Sequence, residues 1–148
     1  MSYQQNKTGE IRFFTEEIDF KLEQKKKLAR WINAIAGDQA FLIDNINYIF
    51  VSDEFLLELN KKYLKHKTLT DIITFDNSFV NLGLSGDIYI SIERVRENAV
   101  KFKVGFQEEL CRVMIHGLLH LCGFKDKNPI DKEKMIDAEN IALLNYFL

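Results

Sequence analysis

The segment from Gln107 to Leu121 constrains the fold more than any other, because it reads as a helix with almost no polar side to offer to solvent. Between Ile115 and Leu121 every residue other than His116 and His120 is apolar or glycine. At about 100° per residue, Glu109, Arg112, His116 and His120 share one narrow stripe, while Leu110, Val113, Met114, Gly117 and Leu121 fill the adjoining face. Such a helix belongs in the interior, and its histidines must find polar partners there.

The flanking sequence supplies the elements to cover it. Ile11 to Phe20 is rich in Ile, Phe and Thr and predicts a strand; Glu23 to Ala36 predicts a helix ended by Gly37. Asn45 to Val51 is a second β-prone run, and Ser52 is placed to cap a helix in which Phe55, Leu56, Leu59 and Tyr63 recur at helical spacing. Thr70 to Phe75 and Asp87 to Ile90 read as two further strands, joined by a loop containing Gly83 and Gly86. Ser91 opens a helix to about Lys103, Gly105 separates it from the histidine helix, and Asn128-Pro129 starts a last helix that runs to near Leu148. The order β-α-β-α-β-β-α-α-α predicts a single α+β domain over residues 1–148, a small mixed four-stranded sheet packed with about five helices, with residues 1–9 as a flexible tail.

A chain of 148 residues can bury a core without disulfides or a structural ion, so a metal is not required for folding. A formal net charge of -2 gives no global attraction to polyanions, and any nucleic-acid site must be a local patch. Cys111 and Cys122 are too few for a disulfide framework and read as free thiols. Met1 to Gly9 lacks the apolar stretch of a signal peptide, and no run is long enough to span a bilayer, so a cytoplasmic protein is expected.

His116 and His120 stand four residues apart, about 5.4 Å along a helix axis, close enough for two ring nitrogens to share one metal ion. Asp126 lies six residues after His120, beyond Gly123, where a turn can bring its carboxylate back toward the pair. Core histidines bonded to backbone are the bland alternative. Zinc peptidases use the same histidine spacing but need a glutamate directly after the first one, and here that residue is Gly117, a position that lets another backbone or a ligand approach closely. Cys122 is a weaker candidate ligand, since the helix end points it away from the histidine stripe. His66 sits among Lys61, Lys62, Lys65 and Lys67, whose charges oppose a cation; this cluster reads as a substrate edge or as a solvated helix end.

His116-Gly117-x-Leu119-His120-Leu121-x-Gly123-Phe124 resembles the signature of the YbeY family of metal-dependent endoribonucleases. Leu59-Asn60-x-x-Tyr63 followed by Thr70-Asp71-Ile72-Ile73-Thr74-Phe75 resembles the family's block before its third strand, and Gly86-Asp87-Ile88-Tyr89-Ile90-Ser91 its fourth strand and the following helix start. Together these cover roughly Leu56 to Asp126. The resemblance implies a single-strand-specific endoribonuclease acting in small-subunit 16S rRNA 3′ end maturation and ribosome quality control. Two positions depart from the family: Asp126 replaces a third histidine, and Leu64 replaces the arginine that follows the tyrosine. Two histidines and a carboxylate are an established zinc ligand set, although the anion lowers the Lewis acidity of the ion. Losing the arginine removes a bidentate phosphate fork, for which Lys65, His66 or Lys67 are imperfect replacements.

The expected centre is therefore one zinc, or another divalent ion, on His116, His120 and Asp126, with Arg112 stabilising transition-state charge or pairing with Glu108. Lys61, Lys65, His66 and Lys67 would position the RNA backbone and Tyr63 would stack on a base, while Asp71 and Asp87 brace strand ends. The rival of a different class is a noncatalytic ribosome- or RNA-binding factor with a structural metal. A two-histidine, one-carboxylate iron oxygenase shares the ligand types but not the flanking motifs.

Overall fold

A computed structural model describes residues 9–64, 70–78 and 83–148. Four strands, β1 (Glu10–Glu16), β2 (Ile43–Val51), β3 (Ile72–Asp76) and β4 (Leu84–Ser91), form one mixed sheet in the order β1-β2-β4-β3. The β1–β2 and β2–β4 pairs are parallel and β3 runs antiparallel to β4. Among the described residues five helices accompany it: α1 (Lys25–Asp38), α2 (Asp53–Leu59), α3 (Ile92–Phe102), α4 (Phe106–Leu121) and α5 (Pro129–Phe147), with a π-helical turn over Asn60–Leu64 after α2. The expected element order and α+β class hold.

The histidine helix α4 is the central helix. Leu110, Met114, Ile115, Leu118 and Leu119 are fully buried in the main core with Ile46, Tyr48, Phe50, Ile88 and Ile90 of the sheet. The Tyr48 hydroxyl donates to the Met114 carbonyl at 2.9 Å, tying β2 to the middle of α4. Gly117 lies against the sheet so closely that a methyl there would meet Ile72 Cδ1 and Ile88 Cγ2, both at 2.9 Å. The close approach that Gly117 permits is therefore that of sheet side chains. The Trp31 indole N–H donates to the Ala142 carbonyl at 2.8 Å and fastens α5 to α1. On the opposite face of the sheet, Leu56 of α2 packs with Ile49, Val51 and Ile73 in a smaller core.

Local chemistry sets the boundaries. Ser52, Ser91 and Asn128 each accept a backbone N–H three residues on, from Phe55, Arg94 and Asp131, so all three expected caps form. β1 stops at Glu16 rather than Phe20, because Glu17 takes a positive φ of 54° and ends the extended run; Phe20 instead packs edge-on to Phe50 and Phe106. Gly37 does not end α1. The helix continues to Asp38 and is closed by Ala40, whose φ of 66° lets the Phe41 N–H reach the Ala36 carbonyl. Gly86 lies inside β4, not in the preceding loop, with the Phe75 carbonyl of β3 where its Cβ would be. The expected tail falls largely on residues 1–8, outside the described residues, but Gly9 is fixed to α1 by hydrogen bonds in both directions with Asn33. Cys111 and Cys122 are free thiols. No helix among the described residues is long and apolar enough to cross a membrane.

Candidate metal centre

The end of α4 is built to return the chain toward its own histidines. Gly123, with φ of 101°, donates to the His120 carbonyl, and the Phe124 N–H donates to the Leu119 carbonyl, both at 3.0 Å. This is a glycine-terminated helix end in which the left-handed residue satisfies two terminal carbonyls. It turns the Phe124 carbonyl back to His120 Nδ1 at 3.0 Å and brings Asp126 alongside both rings.

Asp126 Oδ2 lies 3.3 Å from His116 Nε2 and 3.3 Å from His120 Nε2, and the two Nε2 atoms are 3.0 Å apart. The outer nitrogens fix the tautomers. A carbonyl can only accept, so His120 Nδ1 carries a proton toward Phe124. His116 Nδ1 donates to Glu139 Oε2 of α5 at 2.7 Å. In the neutral rings both Nε2 atoms then present lone pairs, aimed with a carboxylate oxygen at one point. Three acceptors with no donor among them repel one another unless a cation or a proton lies between. The donor set therefore fits a divalent ion with nitrogen and oxygen ligands. Cys122, one residue past the helix, is not among these three donors.

Glu139 is the residue that the sequence did not disclose. It is buried, with a side chain only 7% exposed, and holds His116 through Oε2 and Arg112 Nη1 through Oε1 at 2.9 Å. Arg112 also donates to Asn140 Oδ1 at 2.7 Å. Arg112 thus pairs with α5 and not with Glu108. A carboxylate four residues after Met135 and three before Ala142, both buried, is an acidic group on an apolar stripe, and that was its only signal.

A cavity of about 380 Å³ opens beside the triad, lined by Asp71, Ile72, Glu109, Arg112, Val113, His116, Asp126, Lys132, Met135, Ile136 and Glu139. Burial disfavours a charged His116, but the hydrogen bond and charge of Glu139, together with Asp126 and Asp71, outweigh it and raise the pKa of the ring. Burial also raises Asp71, against the pull of His116. Burial, followed by repulsion from Asp71, pushes Glu109 up to about 7 despite Arg112 nearby. Asp71 lines this cavity, and its carbonyl also accepts from the Ser91 N–H at 3.0 Å, so it ties the start of β3 to the end of β4 as well. Asp87 does brace, accepting from Asn47 Nδ2 across β2 and β4 at 2.9 Å.

Of the expected substrate edge, the described residues Lys61 and Tyr63 do not line the cavity beside the triad. Lys61 is exposed and pairs with Glu58 at 3.5 Å. Tyr63 stands edge-on to Phe75 and lines a different hollow with Phe55, Glu58, Lys62 and Glu93. Leu64 ends the π-helical turn, half-exposed. Lys65, His66 and Lys67 lie outside the described residues.

Known proteins match this chain along most of its length. A family model described as Endoribonuclease YbeY matches residues 10–146. Endoribonuclease YbeY of Flavobacterium psychrophilum is 50% identical over 130 residues, spanning 88% of this chain and 92% of its own. Endoribonuclease YbeY of Christiangramia forsetii is 49% identical over 139 residues, spanning 93% and 96%. The solution structure of TM1509 from Thermotoga maritima matches with a TM-score of 0.65 at 28% identity, over 93% of this chain and 89% of that one. Sequence, fold and the helix-borne histidine pair agree, and the chain belongs to the YbeY endoribonuclease family.

Proposed function

We propose that the chain is a metal-dependent endoribonuclease that cleaves single-stranded RNA in the cytoplasm, with small-subunit rRNA as substrate, in 16S rRNA 3′ end maturation and ribosome quality control. One observation carries the reading: His116 Nε2, His120 Nε2 and Asp126 Oδ2 converge within 3.3 Å of one another while both Nδ1 atoms are already engaged. His116, His120 and Asp126 would hold zinc or another divalent ion, which when bound supplies Lewis acidity at a phosphate and a lowered pKa for water.

The remaining work falls to the chain's own groups. Glu139 and the Phe124 carbonyl lock the imidazole tautomers and keep both rings turned toward the same point. Arg112 is anchored by Glu139 and Asn140 and lines the same cavity, so its guanidinium offers its remaining N–H groups to the charge that builds on a phosphate during cleavage. Lys132 lines the cavity as a second cation, and Lys61, Lys65, His66 and Lys67 steer the RNA backbone while Tyr63 stacks on a base. The test measures metal content and RNA cleavage together in wild type, His116→Ala and Asp126→Ala. Both variants are expected to lose metal and cleavage in step; full metal content with unchanged cleavage in both would refute the reading. A wild-type protein that binds RNA equally with and without the ion, and cuts it with no divalent metal, would make it a binding factor instead.

A further inference from the structure

Among the described residues, Glu109 is the one buried carboxylate lining this cavity that the metal chemistry leaves unused. It lies on α4 two turns before His116 and is only 4% exposed, yet it lines the open cavity. Among the described residues its carboxyl makes no hydrogen bond or ion pair within contact distance, whereas Glu139, equally buried, makes two. Asp71 brings a second carboxylate to the same cavity from the start of β3. An unpaired buried carboxylate costs stability, and facing another one costs more, so the arrangement calls for a ligand rich in donors.

The other walls describe the shape of that ligand. Ile72 and Val113, with Met135 and Ile136 of α5, give the cavity apolar sides. Its volume of about 380 Å³ falls in the range of pockets that enclose small organic ligands. Apolar walls that share the cavity with the Glu109 and Asp71 carboxylates suit a flat heteroaromatic ring. His116 and Asp126 line the same space, so a ring held there sits next to a phosphate engaged by the triad.

We infer that this cavity is a nucleobase subsite selective for guanine, in which Glu109, with Asp71 beside it, accepts hydrogen bonds from the base. Guanine is the base whose Watson–Crick edge places two adjacent donors, N1–H and the N2 amino group, opposite the two oxygens of one carboxylate. Adenine and cytosine pair each donor with a ring nitrogen whose lone pair would face the carboxylate, and uracil offers one donor flanked by carbonyls. The inference rests on the RNA-cleaving reading for its biological setting but not for its test.

The test is binding of the four nucleoside 5′-monophosphates to the full chain, with and without zinc, followed by chemical-shift perturbation and calorimetry. GMP is expected to bind about 10-fold tighter than AMP, CMP or UMP, with shifts centred on α4 and α5; a bidentate base contact is worth about 1–3 kcal/mol of discrimination. Glu109→Gln, which keeps the shape but carries one acceptor and one donor, is expected to erase the GMP preference. Inosine 5′-monophosphate, lacking the N2 amino group, is expected to bind the wild type several-fold more weakly than GMP. Equal binding of the four nucleotides, or a GMP preference that survives in Glu109→Gln, would overturn the subsite. No turnover is needed, so an inactive nuclease would count against the proposed function alone, and indifferent binding against the subsite alone.

Discussion

Replacing Glu139 by glutamine tests whether this carboxylate sets the metal centre from behind. Glu139 accepts from His116 Nδ1 at 2.7 Å and from Arg112 Nη1 at 2.9 Å, one oxygen for each. A glutamine cannot serve both. If its oxygen stays with His116, its amide NH2 faces the N–H of Arg112, donor against donor, and Arg112, whose side chain is 30% exposed, must turn toward solvent. The bond to His116 then falls from a charge-assisted one of about 1.5–3 kcal/mol to a neutral one of about 1 kcal/mol. A loss of about 0.5–2 kcal/mol at a ligand is a roughly 2- to 30-fold weaker metal affinity, overlapping the roughly 10- to 100-fold losses that follow removal of such supporting groups. Zinc affinity measured by competition with a chromophoric chelator reads this directly. Asn140→Ala, which touches Arg112 but not His116, is the control and is expected to stay within about twofold of wild type. An affinity for Glu139→Gln within twofold of wild type, with unfolding unchanged, would refute the reasoning.

Three further outcomes are expected. Glu109 passes from 4.5 to about 7 on folding, so the folded chain binds more protons between those values: its contribution is fully present below pH 4.5 and lost as pH rises through 7. Urea unfolding of Glu109→Gln against wild type at pH 4 and pH 8 is therefore expected to show a gain at pH 8 of about 3 kcal/mol relative to pH 4, and an equal difference at both pH values would contradict it. Gly117→Ala sets a methyl 2.9 Å from Ile72 Cδ1 and Ile88 Cγ2; overpacking of about 1–3 kcal/mol exceeds the gain in helix propensity of about 1 kcal/mol, so Tm falls, and an unchanged or higher Tm would show that the sheet side chains yield freely. Asp126→His removes one negative charge from the donor set and is expected to shift the pH profile of RNA cleavage toward lower pH; a profile identical to wild type would show that the third donor does not set it.

What could be read from the sequence was what lies within one element or one turn of it. The apolar circumference of α4 foretold its central place, the histidine spacing foretold the ring pair, and Gly123 foretold the return of Asp126, because each depends on residues fewer than a dozen apart. The caps at Ser52, Ser91 and Asn128 were legible for the same reason. Glu139 was not: it meets His116 from 23 positions away, on a helix with Ile130, Ile136, Ile141 and Leu144 exposed beside a buried stripe of Met135, Ala142, Leu143 and Tyr146. With apolar residues on both sides of α5, periodicity did not mark which face turned inward, and a carboxylate on the inner one looked like any surface acid. The stop of β1 before Glu17 and the closure of α1 by Ala40 escaped for another reason. Both are non-glycine residues in the left-handed region, where residue type gives little warning.

The site's charge balance links the donor set to the unpaired acid. Asp71, Glu109, Asp126 and Glu139 share a cavity with Arg112 and Lys132, so carboxylates outnumber the permanent cations lining it. The surrounding carboxylates raise the pKa of His116 against its burial, and at Glu109 burial first and Asp71 second raise the carboxyl. A divalent ion on His116, His120 and Asp126 would offset the negative charge around His116, and the donor edge of a base would do so at Glu109. A cavity lined by both sets of groups would therefore favour a single ligand that couples an anionic phosphate, drawn to an ion on the triad, with hydrogen-bond donors for Glu109, which is the chemistry of a nucleotide.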